Sequence, residues 1–126
     1  MPGKLRLGYV GVGLMGLPML TRLVSLDYPV KAYDTVRARV DAAVAAGAQA
    51  AASPAATVRD ADLVLLNLPT TEAVEQAVFG EAGVASAMRA PQLVVDFSTI
   101  KVGKCKAFAQ QLRASTGGGW IDAPVS

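Results

Sequence analysis

The strongest constraint on the fold lies near the N-terminus. Residues 4–10 read Lys-Leu-Arg-Leu-Gly-Tyr-Val, an apolar run of strand character, and lead directly into Gly11-Val12-Gly13-Leu14-Met15-Gly16. Leu17, Leu20, Leu23 and Val24 then recur at helical spacing, so strand, glycine turn and helix follow one another without a gap. In a turn of this kind Gly11 lets the chain reverse tightly, Gly13 lets the backbone approach a phosphate, and Gly16 lets the helix lie close on the strand. The N–H groups at the helix start then face an anion, which points to a dinucleotide pyrophosphate. A glycine-rich turn that binds nothing is the competing reading, and the glycines alone do not separate the two.

The alternation continues along the chain. Val30–Tyr33 reads as a strand, and a helix through Val36, Val40, Ala43 and Val44 stops at Gly47. A short strand is expected over 49–51, after which Ser53-Pro54 supplies a helix N-cap and first turn. Residues 63–68 form a continuous apolar run that suits a strand buried on both faces. A helix over 72–79, a loop or short helix over 80–90, and a second buried strand at Leu93–Asp96 follow. A helix over 102–115 is broken by Gly117-Gly118-Gly119, and Trp120 opens a last strand. About six strands alternating with helices predict an α/β fold, a doubly wound, mostly parallel sheet of the Rossmann type with flanking helices and ligands at the carboxyl ends of its strands. With 126 residues and no repeat or linker, residues 1–126 are read as one domain.

Composition excludes several classes. Apolar residues make up 52% and charged residues 17%, too greasy for a disordered chain. The net charge of +2 comes from scattered residues, which argues against a nucleic-acid footprint. Without histidine there is no Ser-His-Asp or Cys-His nucleophile and no ordinary clustered zinc site, so no metal is expected. Cys105 is the one cysteine and cannot form an internal disulfide, which suits a reducing cytosol. The first residues lack a signal-peptide core, and Arg6, Arg22 and Asp27 interrupt any membrane span, so a cytoplasmic protein with no membrane partner is expected.

Asp34 lies 18 residues beyond Gly16, near the spacing of about 20 at which a ribose-binding acid is expected. Its carboxylate repels a 2′-phosphate and so favours NAD over NADP, an argument that Arg37 and Arg39 weaken. An acidic turn residue after a strand is the plainer alternative. Hydrogen-bonding groups also stand where strands end: Thr70 after Asn67-Leu68-Pro69, and Ser98 and Thr99 after Asp96-Phe97. Their hydroxyls suit ribose or phosphate, although such residues more often cap the next helix.

Four segments in order, Gly11-Val-Gly-Leu-Met-Gly-Leu-Pro-Met19, Leu68-Pro69, Asp96-Phe-Ser-Thr-Ile100 and Asp122-Ala-Pro-Val-Ser126, resemble the β-hydroxyacid dehydrogenase family, which includes 3-hydroxyisobutyrate dehydrogenase and tartronate semialdehyde reductase. The resemblance implies an N-terminal NAD(P)-binding Rossmann domain of an enzyme that interconverts a 3-hydroxy acid and its semialdehyde or keto form. It assigns the pyrophosphate to Gly11, Val12, Gly13, Leu14, Met15 and Gly16, the adenosine ribose to Asp34 and Thr35, the adenosine side to Leu68, Pro69 and Thr70, and the nicotinamide side to Thr99. Ser126 would open the substrate-binding turn.

Some positions depart from the family pattern. Leu20 and Arg22 replace a small residue and an Asn, and Ala73 replaces a polar cofactor contact. Tyr33-Asp34-Thr35 stands where NADP-using relatives carry Asn-Arg-Thr, which again favours NAD, with NADP as the second choice. The family's acid/base lysine belongs to a helix beyond residue 126, so no catalytic residue is assigned here, and the domain is expected to be truncated, its C-terminal helical domain absent. An uncovered apolar face predicts self-association, in keeping with a homo-oligomer. Lys101, Lys104 and Lys106 read as solvent-facing charges and Trp120 as packing. Cys105 lies among lysines that could lower its pKa, but the plainer reading, a small, partly buried helix residue, is favoured. A non-catalytic dinucleotide-binding or interaction module that kept the glycine loop is the alternative function.

Overall fold

A computed structural model describes residues 4–98 and 102–123, with only the backbone at 102. In β1 (Leu7–Val10) every residue is buried. Successive side chains leave a strand on opposite faces, so Tyr9 packs with Leu7, Val30, Ala32 and Leu65 while Val10 packs with Val64, Leu66 and Val94. A strand covered on both faces lies inside its sheet, and β1 is flanked in parallel by β2 (Val30–Tyr33) and β4 (Leu63–Leu66). With β3 (Gln49–Ala50), β5 (Leu93–Asp96) and β6 (Gly119–Asp122), the described sheet has the order β3-β2-β1-β4-β5-β6 and is parallel at every pairing. This is the doubly wound order whose direction reverses between β1 and β4, which opens a crevice beyond their carboxyl ends.

Helices cover both faces. α1 (Gly16–Ser25) and α2 (Arg37–Ala45) bring Leu20 and Ala43 onto the Tyr9 face. α3 (Pro54–Val58), α4 (Thr71–Phe79) and α5 (Val102–Thr116) bring Val58, Val74, Val78, Phe108 and Leu112 onto the Val10 face. The Phe108 ring centroid lies 5.6 Å from that of Phe79 and 5.8 Å from that of Trp120, so Trp120 is packing, as its position predicts. Ser53 caps α3 by accepting the Ala56 N–H at 3.1 Å, with Pro54 in the first turn. A single 3₁₀ turn, Val84–Ser86, interrupts the loop over 80–90.

Two expectations change. The strand expected over 63–68 ends at Leu66: Asn67 still donates its N–H to the Val10 carbonyl at 2.9 Å, but Pro69 has no N–H and restricts Leu68, and the chain leaves the sheet. β5 is not buried on both faces either; Val94 and Asp96 are buried while Leu93 and Val95 are half-buried. The cause is lateral, because α1 and α2 cover β1 and β2 but leave the same face open toward β6, where Ile121 stands beside Val95 and is 47% exposed.

Candidate functional site

The glycine turn is held at both ends. Gly11 donates its N–H to the Tyr33 carbonyl at 3.0 Å, and Leu17 donates to the Gly13 carbonyl at 2.9 Å, where helical bonding begins. Gly11 has φ of +103° and abuts the Asn67 carbonyl, so any side chain there would be both strained and blocked. A Cβ on Gly16 would strike the Gly11 carbonyl, which is the close helix-on-strand approach expected of the third glycine. At Gly13 a Cβ would meet only the Arg39 guanidinium, at 3.6 Å. The N–H groups of Gly13, Leu14 and Met15 donate to no acceptor among the described residues, and no acid occupies the first turn of α1. That combination suits an anion.

Asp34 acts as a turn residue and keeps acceptor capacity besides. It is buried at the end of β2, and its Oδ2 accepts the Val12 N–H at 2.8 Å while Oδ1 accepts the Val36 N–H at 2.9 Å. Its carboxylate therefore ties the glycine turn to the start of α2, and it still has lone pairs for two hydroxyl donors. The two arginines diverge. Arg37 pairs with Asp41 in solvent at 3.4 Å, whereas Arg39 turns toward the cleft and brings Nη1 to 3.9 Å from Asp34 Oδ2.

These groups line one cleft of about 690 Å³, whose walls include Gly11, Gly13, Leu14, Met15, Gly16, Asp34 and Thr35 on one side and Leu68, Pro69 and Ala73 on the other. The volume is that of a small-molecule or cofactor site. Val12 faces away and is buried, contributing its N–H to Asp34. Thr70 does not line the cleft; its Oγ1 accepts the Ala73 N–H at 3.0 Å and caps α4. Ser98 does line it, and its hydroxyl accepts the Leu68 N–H at 2.7 Å, joining the β4 and β5 ends. Thr99 and Ser126 lie outside the described residues. Asn67, Gln76, Glu81 and Phe97 also line the cleft and were not singled out from sequence, although a strand-end position was the available signal for Asn67 and Phe97.

Beside the cleft, Asp96 is fully buried; Oδ1 accepts the Ser98 N–H at 2.9 Å and Oδ2 has no partner among the described residues. Burial pushes its carboxyl above the usual range, Ser98 opposes this, and Asp122 adds to it. The thiol of Cys105 is likewise raised, first by burial and then by the Asp122 and Asp96 carboxylates. The neighbouring lysines do not lower it, because Lys104 and Lys106 point into solvent while the acids face the sulfur, and Cys105 is the half-buried helix residue that the sequence favours. Among the described residues no His, Cys, Asp and Glu group could hold a metal, and no helix is long and apolar enough to cross a membrane.

A glycine turn with free N–H groups, a buried acid at the end of β2 and a cleft at the sheet's reversal point together define a dinucleotide-binding domain of the Rossmann class. Residues 6–126 match the NAD binding domain of 6-phosphogluconate dehydrogenase, and the chain belongs to that family, in its β-hydroxyacid dehydrogenase branch. It is 34% identical to 2-(hydroxymethyl)glutarate dehydrogenase of Eubacterium barkeri over 100% of this chain and 42% of that protein. It is 35% identical to the NAD-dependent L-serine dehydrogenase of Pseudomonas aeruginosa over 96% of this chain and 40% of that one. The structure of Mycobacterium tuberculosis 3-hydroxyisobutyrate dehydrogenase with L-serine superposes with a TM-score of 0.88 at 31% identity, covering 97% of this chain and 40% of that one. The chain thus spans about two fifths of the length of these relatives.

Proposed function

We propose that this chain is the cofactor-binding part of an NAD-dependent dehydrogenase that moves a hydride between nicotinamide and a small 3-hydroxy acid or its semialdehyde, of the 3-hydroxyisobutyrate or tartronate semialdehyde type. The observation that carries this reading is the convergence of the free N–H groups of Gly13, Leu14 and Met15 with the Asp34 carboxylate in one cleft. NAD, when bound, supplies the hydride acceptor. The turn from Gly11 to Gly16 holds the pyrophosphate, Asp34 and Thr35 the adenosine ribose, and Leu68 and Pro69 the adenosine side. Thr70 serves the cleft indirectly by fixing the start of α4, whose Ala73 forms part of the wall. The family resemblance gives Thr99 the nicotinamide side and Ser126 the substrate turn.

NAD is preferred over NADP because Asp34 is a buried acid where a 2′-phosphate would sit, and Arg39 only partly offsets it at 3.9 Å. No lysine lines the cleft among the described residues, so proton transfer at the substrate oxygen falls to a lysine that the resemblance places on a later helix. The setting is the cytoplasm and the assembly a homo-oligomer, supported by the partly open Val95 and Ile121 face. Titrating the chain with NADH by fluorescence tests the cofactor role; saturable binding is expected, with no turnover of 3-hydroxyisobutyrate or glycerate by these residues alone. No signal up to about 1 mM NADH, near the weak end of cofactor affinities, would sink it.

A further inference from the structure

Tyr9 is the largest fully buried side chain of the strand that leads into the glycine turn, and it carries a polar group into the apolar layer between β1 and α1. Its hydroxyl donates to the Gly16 carbonyl at 2.8 Å, the first residue of α1. Burial pushes the phenol pKa to about 12, with the Asn67 side chain opposing it, so Tyr9 stays neutral and keeps its proton for the Gly16 carbonyl.

The phenol on β1 is therefore tied to α1 at the residue that closes the turn. Gly16 packs against the Gly11 carbonyl, Gly11 packs against the Asn67 carbonyl, and a Cβ on Gly16 would lie 3.6 Å from the Tyr9 ring. Phenylalanine would fill the same volume and satisfy the packing, so the hydroxyl has no apolar purpose. A buried hydroxyl is kept at a cost unless it is hydrogen-bonded. Here that bond goes to the residue that closes the glycine turn.

We propose that the Tyr9 hydroxyl forms a polar brace beneath the glycine turn that holds its N–H groups in register for a pyrophosphate, making Tyr9 a positioning residue. The proposal rests on the cofactor reading above. Its weight falls on phosphate, because Tyr9 stands under the Gly11 to Gly16 segment, whereas the adenosine ribose is served by Asp34 at the end of β2.

Tyr9→Phe removes the hydroxyl alone. We expect its Kd for NADH and for ADP-ribose to rise about fivefold, the size of one lost neutral hydrogen bond, while the affinity for adenosine, followed by NMR, is unchanged. A fall for adenosine equal to that for NADH means a general loss of fold and overturns the brace, as does unchanged NADH binding. Tyr9→Leu also lacks the hydroxyl and is read by the same three ligands, so the comparison stands if Tyr9→Phe does not fold. If the unaltered chain binds no NADH, the cofactor reading has failed; if it binds and both variants match it, the brace alone has failed.

Discussion

At the residue scale, the telling groups are carboxylates whose neighbours give them more than one role. Asp34 holds the Val12 N–H and, in its proposed role, offers lone pairs to a ribose, so Asp34→Ala is expected to loosen the turn and remove that acceptor together. The first effect weakens NAD and NADP alike; the second falls on NAD only, and Arg39 is then free to meet a 2′-phosphate. NAD affinity should drop about tenfold, with NADP affinity dropping less. Equal losses in parallel titrations would remove Asp34 from the ribose. Asp96 behaves differently, because burial raises its pKa above the ordinary carboxylate value. The folded state then binds that proton more tightly than the unfolded chain, and stability falls as pH rises from the ordinary carboxylate range through the raised value. Asp96→Asn, neutral throughout, should be more stable than the natural chain at neutral pH by on the order of 1 kcal/mol. The gain should shrink toward about pH 4, the ordinary carboxylate range. Urea melts at both pH values check it, and a pH-independent difference would contradict the assigned cause.

At the scale of elements, the site is built from ends: the start of α1, the ends of β2, β4 and β5, and the first turns of α4. Helix starts are where hydroxyls and free N–H groups are both available, which is why the sequence offered Thr70 both as a ribose or phosphate contact and, more commonly for such residues, as a cap, and the structure shows the cap. Its Oγ1 accepts the Ala73 N–H, so Thr70→Ala should lower stability by about 1 kcal/mol, measured by denaturant unfolding. An unchanged midpoint would mean that α4 does not depend on this cap. Element types and most bounds were readable because the apolar runs were short and bracketed by Gly, Pro and Asp. β2 and β5 begin and end where their patterns do. β4 stops short of its apolar run because Pro69 restricts Leu68 and has no N–H of its own, and Ser98 takes up the Leu68 N–H outside the sheet.

For the whole molecule, the open face is the main departure from a fully covered sheet. Leu63, Val95 and Phe97 are only partly buried, and Ile121 is 47% exposed on β6. We expect the chain to associate with itself at high concentration, and Ile121→Lys to shift it toward monomer, both followed by sedimentation. A clean monomer for the unaltered chain would count against this. The arrangement also explains why strand burial was over-read: a continuous apolar run reports that a strand is hydrophobic, while the cover on each face depends on where helices lie across the sheet.

By itself the sequence determined the order of elements, the glycine turn, the acid at residue 34 and hence the family, because each depends on residues close together or at a set spacing. Tertiary structure decided which polar groups meet. Only folding brings Asp34 to the Val12 N–H, turns Arg39 inward and Arg37 outward, sets carboxylates rather than lysines against Cys105, and carries the Tyr9 hydroxyl to Gly16. Those contacts join separate strands and helices. Their partners are chosen by the packing of the sheet, which local pattern along one chain does not encode.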